Sequence, residues 1–253
     1  MVDVIPDRPH KGRGAVSNPA GRFESDSRVT IDDGWGSAAL HPDDDTDPPS
    51  SPATITIVDA TRSILNRNDS PDIPFDQSIN VYRGCEHGCI YCYARPSHGY
   101  LGLSTGLDFE TRLFAKPNAA KLLEAELRRP GYTPAAIALG SNTDPYQPVE
   151  REHRITRQIL EVLAAYNHPF TIVTKSALVL RDLDIIAPMA AKRMAKVFVS
   201  VTTLDRELAR TMEPRASTPP RRIDAIRGLA RSEEHTSELQ SHLNLVCRLL
   251  LEK

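Results

Sequence analysis

Arg83-Gly84-Cys85-Glu86-His87-Gly88-Cys89-Ile90-Tyr91-Cys92-Tyr93 puts three cysteines into eight residues at the spacing C-x3-C-x2-C. Three thiolates on one tight loop are one short of the four that usually close an iron–sulfur cube. A cube held this way keeps one iron open for another ligand. Zinc is the competing occupant, with His87 or His98 as a fourth ligand. Structural zinc sites usually pair two short knuckles across a spacer, and no second Cys/His pair follows this one, so the iron–sulfur reading is preferred. The only other cysteine, Cys247, leaves no room for a multi-disulfide framework. Clustered thiols in a chain whose N-terminus shows no apolar signal-peptide core point to a reducing compartment and a cytoplasmic protein.

The sequence around the loop repeats a simple pattern. Ser78-Ile79-Asn80-Val81-Tyr82-Arg83 reads as a strand that delivers the chain into the cysteines. A helix is expected from Asn118, with Ala119, Leu122, Leu123 and Leu127 on its apolar face, ending at Pro130-Gly131. Strands at 135–139, 170–174 and 197–201 alternate with helices over 149–166 and within 177–194, and helical stretches follow near 205–212 and 220–230. Thr54-Ile55-Thr56-Ile57-Val58 is a leading strand outside this repeat. Continuous apolar strands alternating with helices argue for a parallel sheet covered on both faces. Right-handed crossovers curl four such units into part of a barrel, whose functional groups lie where strands end and loops begin. The cysteine loop follows the first strand of the repeat, as that rule requires.

The chain has 253 residues, enough for one sizeable α/β domain with a tail or for two small ones. Its formal net charge of −2 gives no global basic field from which polyanion binding could be inferred. No apolar run approaches the ~20 residues needed to span a membrane. Residues 1–52 are rich in Pro, Gly, Ser, Asp and Arg, and a disordered leader is expected there, with local docking of the segment 11–24. The basic run Arg8-Pro9-His10-Lys11-Gly12-Arg13 is read as a solvated tail in preference to a phosphate contact. At the other end, Arg231-Ser232-Glu233-Glu234-His235-Thr236-Ser237-Glu238-Leu239-Gln240-Ser241 reads as the in-frame translation of a common sequencing adapter, and the match resumes at 245–251 after a barcode-length gap. An amphipathic helix carrying Leu239, Leu243, Val246 and Leu250 is the alternative. The expected division is therefore a leader over 1–52, a domain over 53–230 and a non-native tail over 231–253, with Cys247 excluded as a ligand and the natural protein continuing past Ala230.

Beyond the cysteines, the stretch Cys85-Glu86-His87-Gly88-Cys89-Ile90-Tyr91-Cys92-Tyr93-Ala94-Arg95 resembles one branch of the radical S-adenosylmethionine (SAM) superfamily. This branch is related to spore photoproduct lyase and often labelled DNA repair photolyase-like. Lys11-Gly12-Arg13-Gly14-Ala15, Thr143-Asp144-Pro145-Tyr146-Gln147-Pro148-Val149-Glu150 and Glu213-Pro214-Arg215 also match it. The resemblance implies a partial (βα)6 TIM-like barrel with a [4Fe-4S] cluster on Cys85, Cys89 and Cys92. It also implies reductive cleavage of SAM to a 5′-deoxyadenosyl radical, with an electron donor such as a ferredoxin or flavodoxin. The substrate is open, nucleic acid being one candidate. SAM contacts are implied at Tyr91, Ser141, Lys175 and Ser200. The chain departs from the pattern by stopping after about four of six strand–helix units, which would leave a truncated barrel with an unpaired apolar edge. A non-catalytic zinc- or cluster-binding module that recruits a partner is the alternative.

Each strand end offers candidates with two readings. Tyr91 packs near the adenine or is a plain core tyrosine. Ser141, Asn142, Thr143 and Asp144 bind the SAM ammonium or substrate, or form an Asx turn before Pro145. Lys175 serves a carboxylate at the rim or is solvated. Ser200 and Thr202 share one strand face and bond SAM hydroxyls or their own neighbours. Glu213, Arg215, Arg221 and Arg222 are read as a salt-bridged helix start in preference to a phosphate contact, and His98 and His153 as structural.

Overall fold

The computed structural model describes residues 9–20 and 52–233. Its strands are β1 (Ile55–Val58), β2 (Asn66–Arg67), β3 (Gln77–Ile79), β4 (Tyr82–Arg83), β5 (Arg112–Ala115), β6 (Ile137–Leu139), β7 (Phe170–Thr174) and β8 (Ala195–Val199). The helices are α1 (Leu107–Thr111), α2 (Ala119–Leu127), α3 (Glu150–His153), α4 (Ile155–Ala165), α5 (Leu183–Ala191), α6 (Arg206–Met212) and α7 (Pro219–Glu233). The main sheet runs β2-β3-β6-β7-β8. Its last four strands are parallel, with Ile79, Leu139, Ile172 and Val197 in one cross-strand row, and β2 is an antiparallel edge. The apolar runs are buried as a both-faces-covered sheet demands: Ile79, Ile137, Leu139, Phe170 and Ile172 are inaccessible, as are Leu123, Ile159 and Leu163 on the crossover helices. This is the expected α/β half-barrel. Among the described residues β8 pairs only with β7, and Val197, Phe198 and Val199 are half-buried.

Two expected elements are divided. The strand at 78–83 stops at Ile79, and after Asn80-Val81 the chain enters β4, in a second sheet of order β1-β5-β4. The cause is a competing use of Asn80. Its Oδ1 accepts the backbone N–H groups of Asn142 (2.9 Å) and Thr143 (3.2 Å), its Nδ2 donates to Ser141 Oγ (3.0 Å), and its carbonyl accepts Lys116 Nζ (2.8 Å). Strand β5, which the sequence reading does not contain, is the partner that β4 and β1 share. The helix at 149–166 breaks at Arg154, whose φ is 50°. There the buried Glu150 carboxylate accepts the N–H groups of Ile155 and Thr156 (both 3.1 Å) and so caps α4 from the preceding turn.

Residues 9–20 correct the solvated-tail reading. Arg13 is buried, and its guanidinium donates to Glu110 O (2.9 Å), Pro52 O (2.6 Å) and Thr54 Oγ1 (2.9 Å). The docking expected from Lys11 is seen as far as residue 20, and 21–51 lie outside the described residues. Helix α7 runs past Ala230 to Glu233, and the remainder of the adapter-like tail, Cys247 included, lies outside the described residues. Among the described residues no helix is long and apolar enough to cross a membrane.

Candidate functional site

The cysteine loop leaves β4 and is held on every side by backbone bonds. Cys85 N donates to Phe109 O (2.9 Å), Ile90 N to Met212 O (3.0 Å), Cys92 N to Cys89 O (3.2 Å), and Arg215 N to His87 O (3.2 Å). The buried Gln147 clamps the loop's start, accepting Glu86 N (2.9 Å) and donating to Gly84 O (3.2 Å). All three cysteines are free thiols, Cys85 and Cys89 buried and Cys92 partly so. Cys85 and Cys92 pack with Ala94 and Phe109 in a small apolar cluster of their own. Burial pushes the Cys85 thiol well up and that of Cys89 to about 12, the latter against the pull of Lys175. Thiols in such surroundings ionise only when a cationic centre takes them as ligands.

Among the described residues, no three His, Cys, Asp or Glu side chains converge on a point where one metal ion could sit. Zinc needs its sulfur ligands about 2.3 Å from one centre, whereas a cube takes each thiolate on a different iron.

The loops after β6, β7 and β8 meet this loop. Asp144, after β6, accepts Tyr146 N (2.8 Å) and Thr174 Oγ1 (2.7 Å) on Oδ1 and Lys175 N (2.7 Å) on Oδ2, which also lies 3.3 Å from His87 Nδ1. Burial opposes its ionisation, but His87 and these donors outweigh burial and hold the carboxyl below its ordinary range. Lys175, after β7, sets its ammonium 5.8 Å from the centroid of the Tyr91 ring and has no carboxylate partner among the described residues. The Tyr91 hydroxyl donates to Glu213 and lies 3.1 Å from Thr202 Oγ1. Burial, reinforced by Glu213, pushes the Tyr91 phenol up, so it is a donor near neutral pH. Ser200 follows β8, its N–H on Thr174 O (2.9 Å) and its carbonyl on Arg222 Nη1 (3.0 Å).

The structure therefore brings Lys175 and Thr202 to Tyr91 and Asp144 to His87 of the cysteine loop, sets Ser200 between Thr174 and Arg222, and bonds the remaining candidates as follows. Thr143 is buried with its hydroxyl on Tyr82 O (3.0 Å), and Ser141 takes the Asn80 amide on its hydroxyl and the Tyr93 hydroxyl on its carbonyl. Asn142 is partly exposed, its N–H bound to Asn80. Arg222 is fully buried and pairs with Glu213, and Arg215 lies 3.2 Å from Glu86, which agrees with the salt-bridge reading. His98 bonds Arg112 O (2.9 Å) and lies edge-on to Phe109, and the His153 ring is tilted 52° to that of Tyr82 at 6.4 Å. Sequence reasoning missed three organising residues. Gln147 stood inside a quoted motif with no role assigned, whereas Asn80 and Glu110 carried no local signal.

A family model described as the Radical SAM superfamily matches residues 79–235. An uncharacterized protein of Mycobacterium tuberculosis (strain H37Rv) is 42% identical over 166 residues, covering 65% of this chain and 49% of that one. An uncharacterized protein of Methanocaldococcus jannaschii is 28% identical over 151 residues, covering 60% and 54%. The chain thus spans about half the length of the curated relatives it matches. Spore photoproduct lyase, solved in complex with dinucleoside spore photoproduct, shares the fold at a TM-score of 0.50 and 17% identity, over 70% of this chain and 47% of that one.

Proposed function

The chain belongs to the radical SAM superfamily, and from that premise we propose that Cys85, Cys89 and Cys92 hold a [4Fe-4S] cluster whose open iron takes SAM. Such a cluster, once reduced, would supply one electron for cleavage of SAM into methionine and a 5′-deoxyadenosyl radical able to abstract hydrogen from a substrate. The carrying observation is the position of three buried or half-buried free thiols on the loop that leaves β4, the short strand entered two residues after the first of the four parallel strands. Lys175, uncommitted to a carboxylate among the described residues, receives the SAM carboxylate. The Tyr91 ring offers an apolar face at the same rim, and the Ser200 hydroxyl and Asn142 amide are further contacts. Asp144, Thr143 and Ser141 act at one remove, by holding the strand-end loops in place.

A ferredoxin or flavodoxin in the reducing cytoplasm is the proposed electron donor. The substrate class to try first is a nucleic acid lesion, because the structural neighbour is a lyase complexed with a dinucleoside photoproduct. Anaerobic reconstitution tests the reading: the protein should take up iron and sulfide and release 5′-deoxyadenosine from SAM on reduction. Stoichiometric zinc with no SAM cleavage would instead establish the binding-module alternative.

A further inference from the structure

We propose that residues 13–15 form a positioning strap for the cysteine loop, locked in place by Glu110; the proposal rests on the cluster reading of that loop. The strap and the loop touch backbone to backbone. A Cβ built on Gly14 would sit 1.8 Å from the Gly88 carbonyl oxygen and 3.1 Å from Ile90 Cγ2, so only glycine allows the approach. Gly88 has φ 66°, and a side chain there would come 2.8 Å from Glu110 Oε2 and 3.2 Å from Gly14 N. The peptide that leads directly into Cys89 is therefore wedged between the strap and Glu110.

Glu110 is inaccessible to solvent, and its carboxylate is shared between the two segments. Gly14 N donates to Oε2 (2.9 Å), Ala15 N to Oε1 (2.9 Å), and Arg95 Nη2 to Oε1 (2.5 Å). The Arg95 fork also holds the Cys89 carbonyl through Nε (3.1 Å) and Nη2 (2.9 Å). Arg13 anchors the strap to Glu110 O and to Thr54, whose hydroxyl donates to Glu86 Oε1 (2.6 Å) inside the loop. Charge-assisted bonds to a buried carboxylate are stiff and directional. No residue of the strap can ligate iron, so it acts through the loop, by presetting the Gly88–Cys89 peptide and shielding it. Partners that orient metal ligands typically change affinity or activity by about 10–100-fold when removed.

Two substitutions in the full chain test the strap. Gly14→Ala must push it off Gly88, and Arg13→Ala removes its guanidinium anchors to Glu110 O, Pro52 O and Thr54 without a clash. The metal-free protein is read by the alkylation rates of Cys85 and Cys89, the reconstituted protein by iron retention and the electron paramagnetic resonance g-values of the reduced cluster. The expected result is a folded protein in which both thiols alkylate at least tenfold faster, the cluster is lost about 10–100-fold faster, and the g-values shift. Reduced thermal stability with wild-type alkylation and unchanged g-values would overturn the strap as a positioning element. If Gly14→Ala does not fold, Arg13→Ala decides by the same readouts. Failure of the wild-type protein to take up iron and sulfide would remove the cluster reading, and the alkylation rates would still judge whether the strap orders the loop.

Discussion

The hydroxyl of Tyr91 donates to the carboxylate of Glu213, joining the cysteine loop to the segment after α6 across 122 positions of sequence. Glu213 also accepts Thr202 Oγ1 (2.6 Å) and pairs with Arg222, which is 1% exposed. One carboxylate thus fixes the cysteine loop, the residues after β8 and the first turns of α7 relative to each other. Glu213→Ala leaves the Arg222 guanidinium buried without its anion, a change that typically costs about 3–5 kcal/mol. Denaturant unfolding of the metal-free protein should show that loss; a cost below about 1 kcal/mol would mean that the pair behaves as an exposed one.

The same group sets part of the acid stability. Burial favours the neutral form of Glu213, but the donors Thr202, Tyr91 and Arg222 outweigh it and hold the carboxyl below its ordinary range. A depressed carboxyl contributes stability that is fully present above its unfolded value of about 4.3 and is lost as the pH falls through the lower folded value. Glu213→Gln removes this titration. Its unfolding free energy should therefore fall less steeply than wild type below about pH 4, and parallel acid limbs for the two proteins would contradict the assignment.

The parallel order β6-β7-β8 was legible because these strands fall in short, largely apolar runs bounded by turn residues, and such runs bury themselves wherever helices cover both faces. The C-x3-C-x2-C run was legible as a candidate ligand set because ligand chemistry depends on local spacing. The switch of sheets at Asn80 was not legible, since its cause is a side chain bonded to Asn142 and Thr143 some sixty positions later. β5 is four residues, too short to show a period, and only the pairing of β1 and β4 on either side makes it a strand. Glu110 looked like any helix carboxylate, for nothing near it in sequence announces that residues 14 and 15 donate to it from 95 or more positions away. Lys175 was legible as the residue directly after a strand, but its position over Tyr91 depends on the fold of both loops.

Lys175 gives a prediction on cofactor affinity. A charged hydrogen bond to a carboxylate is worth about 1.5–3 kcal/mol, which corresponds to roughly 10–150-fold in Kd. Lys175→Met keeps an aliphatic stem against Tyr91 and removes only the charge. The reconstituted variant should hold a full complement of iron while binding SAM weaker by that factor in calorimetry. Unchanged SAM affinity would place the carboxylate elsewhere, and loss of iron would show that the lysine supports the cluster itself.

Cys92 is the most accessible of the three thiols, so replacing it disturbs packing least and isolates its role as a ligand. With Cys92 replaced, a cube would keep only two of its three thiolate corners, Cys85 and Cys89. Cys92→Ala should therefore retain the wild-type unfolding midpoint in the metal-free state and lose the visible charge-transfer absorption and bound iron after reconstitution. His87→Ala and His98→Ala should keep the iron, because a cube on three cysteines needs no histidine, whereas a zinc site would lose its fourth ligand with one of them. Iron bound at wild-type stoichiometry in the Cys92 variant would remove the three-cysteine cluster; metal lost with either histidine would favour zinc.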